Sequence, residues 1–521
     1  MSRDSLITLS GASLVKVDRS SARYSYLREV HQRIANKDAM TWGQEASAEA
    51  SIRLNWVDLP ESSMALLPTM DAIVKRFHHC NRVVLCGMGG SSLAPEVLSK
   101  SFKRPIFIVD STDPHYIAHA LDGDLATTLF VVSSKSGSTI ETSSQRAFFQ
   151  DQISKAGLSP TDHILFVTDP ASPLDISVRE EGFAVVNADP NVGGRFSALS
   201  AFGVVPATLA GIDMWEILRE ASACKSAFLN NDEQIIDVAF LLSEVAGQYL
   251  SFADQGSDVP GLSDWIEQLI AESTGKDGRG RLPIVCENIE SSRVGGAFSI
   301  AFSNAGADLN VIAPLGAHFI FWEWVTALIG AALEIDPFNQ PNVTEAKEQT
   351  LALLNEWKGT DSTSVPDLTA DSIDGSVEIF GNGKSLTESL RTLIDGVSED
   401  GYIAIMAYLD RDNDRELEEL RSILSAKSQR PVTFGWGPRF MHSTGQFHKA
   451  GQPNGTFIQV TGAITTDFEI PGREFTFGTL VTAQALGDGR ALAKRKYPLL
   501  RLNCLDRRAG ISEILAAAKA I

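Results

Sequence analysis

A chain of 521 residues is longer than one hydrophobic core usually serves, so two or three domains are expected. Apolar residues at 44% and charged residues at 21% describe an ordinary globular composition. A net charge of −20 excludes nucleic acid as the main partner, because a phosphate backbone is met by a basic face. A phosphorylated metabolite stays open, provided that the chain builds a local anion site.

The N-terminus, MSRDSLITLS, has no apolar core of the signal-peptide kind. The first sixty residues read as mostly helical and polar, an extension over 1–60. From Asn81 short apolar runs alternate with helical segments. VVLC (Val83–Cys86), PIFIVD (Pro105–Asp110), LFVVSS (Leu129–Ser134), ILFVTD (Ile164–Asp169) and FAVVNA (Phe183–Ala188) are β-branched or aromatic, which predicts βαβ units and a parallel sheet over 61–225.

A second α/β domain is expected over 226–357. It has helices at about Glu233–Phe252 and Ser263–Glu272, a run at Leu282–Cys286 and a helix near Gly295–Ser303. A run at Leu309–Pro314 and helices at His318–Leu333 and Val343–Trp357 complete it. Phe319–Leu333 is short for a membrane span and holds Glu323, so a buried helix is expected, with no membrane partner. The Ser/Thr/Asp-rich stretch 358–376 reads as a linker. The segment 377–521 is α/β again, with runs at Tyr402–Leu409, Pro431–Trp436, Thr456–Thr461 and Leu499–Cys504.

Cys80, Cys86, Cys224, Cys286 and Cys504 are odd in number and widely spaced, as expected of free thiols in a reducing cytoplasm. GNGKS (Gly381–Ser385) has the tail of a Walker loop, but Glu378 stands where its first glycine belongs, so a turn is expected.

Two loops suit an anion. CGMGGSSLAPEVL (Cys86–Leu98) runs from a strand into a helix, where glycines let backbone N–H groups approach a ligand. SSKSGSTIETS (Ser133–Ser143) packs more hydroxyls before a helix than capping alone uses. Further along, NVGGRFSALSAFG (Asn191–Gly203) sets a guanidinium after paired glycines. AESTGK (Ala271–Lys276) ends a helix on a carboxylate, and FNQPNVTEAK (Phe338–Lys347) leads into another helix.

Taken in order, GMGGSS, SKSGSTIET, GGRFS, ESTGK and FNQPNVTEAK resemble the successive motifs of the phosphoglucose isomerase family. WGPRFMHSTGQFHKAG (Trp436–Gly451) and FGTLVTAQALGD (Phe477–Asp488) resemble the isomerase half of fused bacterial transaldolase–isomerases. No transaldolase barrel is expected upstream. The resemblance implies two sugar-isomerase (SIS) domains, of the parallel-sheet sandwich type, followed by the C-terminal α/β segment.

Gly90 and Ser91 match a substrate-contacting turn, and Ser134, Ser136, Thr139 and Thr142 match phosphate ligands, with the Lys135 backbone beside them. Arg195 matches the arginine near the enediolate, and Glu272 the catalytic base. Gln340 and Lys347 match sugar-contacting and ring-opening groups. The family commonly has Asp, Trp and Gly around its glutamine, where this chain has Asn339, Pro341 and Asn342. Its ring-opening histidine lies in a GQH segment, where this chain offers GAH with His318; His442 and His448 are rivals.

The implied activity interconverts glucose 6-phosphate and fructose 6-phosphate. One base moves a proton between carbon 2 and carbon 1, and a fixed cation holds the enediolate. This chemistry needs no cofactor and no metal. A homodimer in the cytoplasm is implied as well. The alternatives are a dual phosphoglucose/phosphomannose isomerase and a sugar-phosphate-sensing SIS protein without catalysis.

Overall fold

The computed structural model describes residues 6–341, 343–357, 369–381 and 383–521, and for 343–347 the backbone only. The chain forms two compact units. The first comprises Met1–Asp110, Gly123–Ser292 and Ala297–Gln340, the second Ser111–Asp122, Arg293–Gly296 and Pro341–Ile521.

The first unit holds two five-stranded sheets. A short strand β1 (Thr8–Ser10) precedes β2 (Arg82–Cys86), β3 (Ile106–Val109), β4 (Thr128–Ser133), β5 (Ile164–Thr168) and β6 (Ala184–Asn187). The last five pair in parallel in the order β3-β2-β4-β5-β6. Strands covered on both faces read as continuous apolar runs, which is why each was legible in the sequence.

The second sheet is built from β7 (Tyr249–Ala253), β8 (Leu282–Val285), β9 (Phe298–Ala301) and β10 (Leu309–Ile312), in the order β1-β10-β9-β7-β8. Here two expectations are corrected. The helix expected over Glu233–Phe252 ends at Phe240, continues as one π-helical turn over Leu241–Val245, and gives way to β7. Gly247, at φ 72°, turns the chain, and YLSFA then enters the sheet between β8 and β9. The helix expected near Gly295–Ser303 is also a strand, β9. Gly295 and Gly296, at φ 78° and 71°, stop helical propagation before it. Five-residue apolar runs carry too little periodicity to separate strand from helix, and the sheet decides.

The first sixty residues do more than extend the chain. Strand β1 pairs antiparallel with β10, Leu9 opposite Val311, and Tyr24, Leu27, Val30 and Ile34 of the Ala22–Ala35 helix are buried. That helix packs on the Leu315–Ala332 helix, as do the Met214–Asn230 and Glu233–Phe240 helices. Leu315–Ala332 is long and apolar enough to cross a membrane, yet it is buried along its whole length. Burial raises the Glu323 carboxyl well above the usual carboxylate range.

The second unit is built on β11 (Ser372–Asp374), β12 (Val377–Phe380), β13 (Tyr402–Ala407), β14 (Val432–Trp436), β15 (Gly455–Gly462) and β16 (Leu499–Cys504). Their order is β11-β12-β16-β15-β13-β14. The four strands β16-β15-β13-β14 are parallel, and β12 and β11 are added antiparallel. Residues 358–368 of the expected linker lie outside the described residues; its tail supplies β11. Gly381 and Gly383 turn the chain at φ 147° and 144°, and Ser385 caps the Leu386–Asp395 helix, so this Walker-like tail is a capped turn. The Trp436–Gly451 and Phe477–Asp488 stretches meet in this unit through a buried Lys449–Asp488 ion pair at 2.6 Å.

Cys86, Cys224, Cys286 and Cys504 are buried thiols, and Cys80 is half-buried. Burial pushes the Cys80 thiol up to about 11, and those of Cys224 and Cys504 up to about 12.

Candidate active site

The motifs of the first unit converge at the carboxyl ends of its strands, where open parallel sheets place their ligand crevices. After β2, Gly89–Ser91 form a short 3-10 turn, and the Leu93–Phe102 helix follows. Ser91 is half-buried and donates its backbone N–H to the Met88 carbonyl at 3.1 Å. After β6, Gly194–Phe196 form a second such turn. A Cβ built on Gly90 would lie 1.9 Å from the Gly194 carbonyl oxygen, so only glycine lets these turns touch. Ser197 Oγ bridges them, donating toward the carbonyls of Gly194 at 2.6 Å and Gly90 at 3.3 Å.

The hydroxyl-rich loop follows β4 and enters the Ile140–Lys155 helix. Ser134 is buried, and its Oγ accepts from the Gly137 N–H at 3.1 Å. Gly137 sits at φ 74°, which closes the turn. Ser136 and Ser138 are exposed and pair through their hydroxyls at 2.7 Å. Thr139 occupies the N-cap position, but its side chain makes no capping bond. Thr142 Oγ1 is buried without a partner among the described residues. These two hydroxyls are therefore not consumed by the helix, which is what an anion site at a helix N-terminus requires. The Lys135 side chain turns away, to Asp169 at 2.7 Å and the Pro190 carbonyl at 3.0 Å; its backbone stays in the loop.

Beside the glycine contact lies a buried ion pair. Arg195 Nη1 sits 2.8 Å from Glu272 Oε1, with 4% and 9% of the two side chains exposed. Glu272 comes from the last turn of the Leu262–Thr274 helix, which packs on the Leu93–Phe102 helix and on the Gly194–Phe196 turn. Its Oε2 accepts from Gln268 Nε2 at 3.1 Å. The remaining Arg195 donors hold the 337–340 loop: the Pro337 carbonyl at 2.8 and 3.2 Å, the Asn339 carbonyl at 3.0 Å and Gln340 Oε1 at 3.5 Å. Arg195, Glu272 and Gln340 are thus brought together, with Gly90 one turn away.

The other expected residues fare differently. His318 is buried against Phe302, ring centroids 5.3 Å apart, and neither of its nitrogens has a hydrogen-bond partner among the described residues. Burial pushes it down to about 3, so it is neutral at any working pH. Lys347 lies on the Val343–Glu356 helix, and its side chain falls outside the described residues. His448, in the second unit, pairs through Nδ1 with the Tyr402 hydroxyl at 3.0 Å, and burial pushes it down to about 3. His442 closes the Arg439–His442 turn and is half-buried.

Sequence reasoning passed over Lys276. It is buried, and its Nζ donates to the Asp336 carbonyl at the base of the 337–340 loop. Burial, and then the neighbouring Arg195 charge, hold its ammonium well below the usual lysine range. Its position inside the ESTGK motif was the available signal; a lysine in a turn after a helix is ordinarily solvated, which hid it.

A family model described as phosphoglucose isomerase matches residues 71–271, a span that holds both loops and Arg195 and stops one residue before Glu272. Over this stretch the chain is similar to the phosphoglucose isomerase family. A glucose-6-phosphate isomerase of Campylobacter jejuni is 31% identical over 232 residues, which cover 43% of this chain and 57% of the relative. One of Thermus thermophilus is 32% identical over 245 residues, covering 44% and 58%. The chain thus spans little more than half the length of these curated relatives. A solved glucose-6-phosphate isomerase from Chlamydia trachomatis is 18% identical, with a TM-score of 0.53, and covers 69% of this chain and 90% of that one. That likeness shows a shared α/β fold. The matched stretch carries both loops and Arg195; Glu272 is the next residue after it, and Gln340 lies further along the chain.

Proposed function

We propose that the chain is an aldose–ketose isomerase interconverting glucose 6-phosphate and fructose 6-phosphate. The observation that carries this reading is the buried Arg195–Glu272 pair, one glycine contact from a phosphate-type loop. The hydroxyls of Thr139 and Thr142, with Ser134, Ser136 and the Lys135 backbone, take the phosphate. Gly90 and Ser91 line the turn along which the sugar lies. Anchoring the phosphate away from the reacting carbons lets remote binding energy orient the chain of the sugar.

Glu272 then takes the proton from carbon 2 and returns it to carbon 1. Arg195, already dehydrated, stands where the enediolate oxygens develop negative charge. Gln340, held on the same guanidinium, positions a sugar hydroxyl. Opening of the closed sugar ring is the role that the resemblance gives to Lys347 and to a histidine, His318 or its rivals His442 and His448. The reading carries with it a cytoplasmic homodimer whose chemistry draws on no cofactor.

The purified chain is expected to convert fructose 6-phosphate to glucose 6-phosphate in a coupled assay. Ser134→Ala combined with Thr139→Ala is expected to raise KM about 10²-fold or more while kcat changes less, since two donors to a charged group contribute about 1.5–3 kcal/mol each. An unchanged KM would remove the phosphate cradle from the proposal, and an absence of turnover in the unaltered chain would remove the activity.

A further inference from the structure

The opposite edge of the first sheet carries a cluster that the isomerase reading does not use. His79 and Cys80 lie in the short connection between the Leu67–Arg76 helix and β2, and His163 is the last residue before β5. One ligand atom from each of the three lies within 4.8 Å of the others. Cys80 Sγ is 3.9 Å from His163 Nδ1, and the two imidazoles meet edge to face at 5.3 Å.

Three features mark this as a site and not a chance meeting. Each imidazole is tied to a backbone carbonyl: His163 Nδ1 to Thr128 at 3.0 Å, and His79 Nε2 to Asp162 at 3.1 Å. His79, fixed through Nε2, offers Nδ1 as a lone pair, the arrangement that orients metal-ligating histidines; the His163 Nδ1 that faces Cys80 Sγ ligates by releasing the Thr128 carbonyl. The segment bearing the ligands is itself pinned, with the Cys80 N–H on the Phe77 carbonyl and the Asn81 N–H on the Thr127 carbonyl, both at 2.9 Å. Burial is graded from exposed His79 through half-buried Cys80 to buried His163, which leaves an entry path from solvent.

We propose that His79, Cys80 and His163 bind one zinc-class divalent ion, with a fourth position left to water. One thiolate with two imidazoles is the donor set of a borderline-soft ion; calcium and magnesium prefer oxygen. Binding replaces the Cys80 S–H bond by a sulfur–metal bond, and the proton leaves to solvent. The ion joins the entrances of β2 and β5 beside the start of β4. The phosphate-type loops leave the same sheet at the far ends of β2 and β4, so the ion acts as a structural clamp and takes no part in isomerisation.

The test uses the full chain, stripped with a chelator and titrated with cobalt(II). One equivalent is expected to develop thiolate-to-cobalt charge-transfer absorption in the near ultraviolet, and one equivalent of zinc is expected to raise the thermal midpoint. Cys80→Ser, which keeps the four other thiols, is expected to lose both responses. His79→Ala keeps the sulfur and should bind at least about tenfold more weakly, since even an outer-shell partner is worth ~10–100-fold. His79 is exposed, so that variant folds whether or not the proposal holds. Turnover of fructose 6-phosphate is expected to be unchanged in both variants, which separates this site from the isomerase reading. The absence of a thiolate band, a Cys80→Ser chain that titrates like the parent, or an unchanged affinity in His79→Ala each overturns the proposal.

Discussion

Replacing Glu272 by glutamine is expected to lower kcat for fructose 6-phosphate by about 10²-fold or more, the usual contribution of a positioned general base. The substitution isolates the proton-transfer role because little else changes. An amide has the size of the carboxyl, and its oxygen still accepts from Arg195 Nη1, now at 2.8 Å from Glu272 Oε1. Gln268, which donates to Oε2, loses its acceptor if the amide nitrogen takes that place, so a modest loss of stability accompanies the change. KM is expected to move little, since the phosphate loop lies on other elements. A variant that keeps turnover within about tenfold of the parent would remove Glu272 from the role of base, whatever happened to its stability.

How much of this was legible in the sequence follows the range of each signal. The hydroxyl-rich loop is local: a strand, a run of hydroxyls and a helix, all within Thr128–Lys155. Strands β2 to β6 were legible because parallel strands buried on both faces must be apolar throughout. By contrast, β7 and β9 were expected as helix, and β1 was not foreseen. Their identity is set by neighbours distant in the chain, Leu9 on Val311 being one instance.

The Arg195–Glu272–Gln340 cluster needed the resemblance as well as the residues. Glu272 and Arg195 are each commonplace by type, and only the fold places them 2.8 Å apart. Lys276 was quoted within a motif and given no role, because nothing local says that its ammonium is buried. The His79–Cys80–His163 cluster lay beyond sequence reading altogether: two of its members are adjacent, and the third arrives from the far side of β4.

The second large effect is expected at Arg195. Truncation to methionine fills much of the same volume but strands the Glu272 charge in a buried position, and removing one partner of a buried pair costs about 3–5 kcal/mol. It also releases the Pro337 and Asn339 carbonyls, so the 337–340 loop loses its anchor. A lower urea midpoint is therefore expected, together with a loss of kcat of about 10²–10³-fold, the usual result of deleting a donor aimed at developing negative charge.

Arg195→Lys sharpens the point. It keeps the positive charge but not the planar fork that serves Glu272 and the loop carbonyls at once. Part of the stability is expected to return, while kcat stays low. The double variant Arg195→Met with Glu272→Gln removes the stranded charge as well, so its loss of stability should fall short of the sum of the single losses by about 0.5–3 kcal/mol. Its turnover should stay at the level of the weaker single variant. If the arginine served the fold alone, kcat would recover along with the urea midpoint in Arg195→Lys. A split between the two, with stability rescued and turnover not, is the signature of a guanidinium that also holds the enediolate.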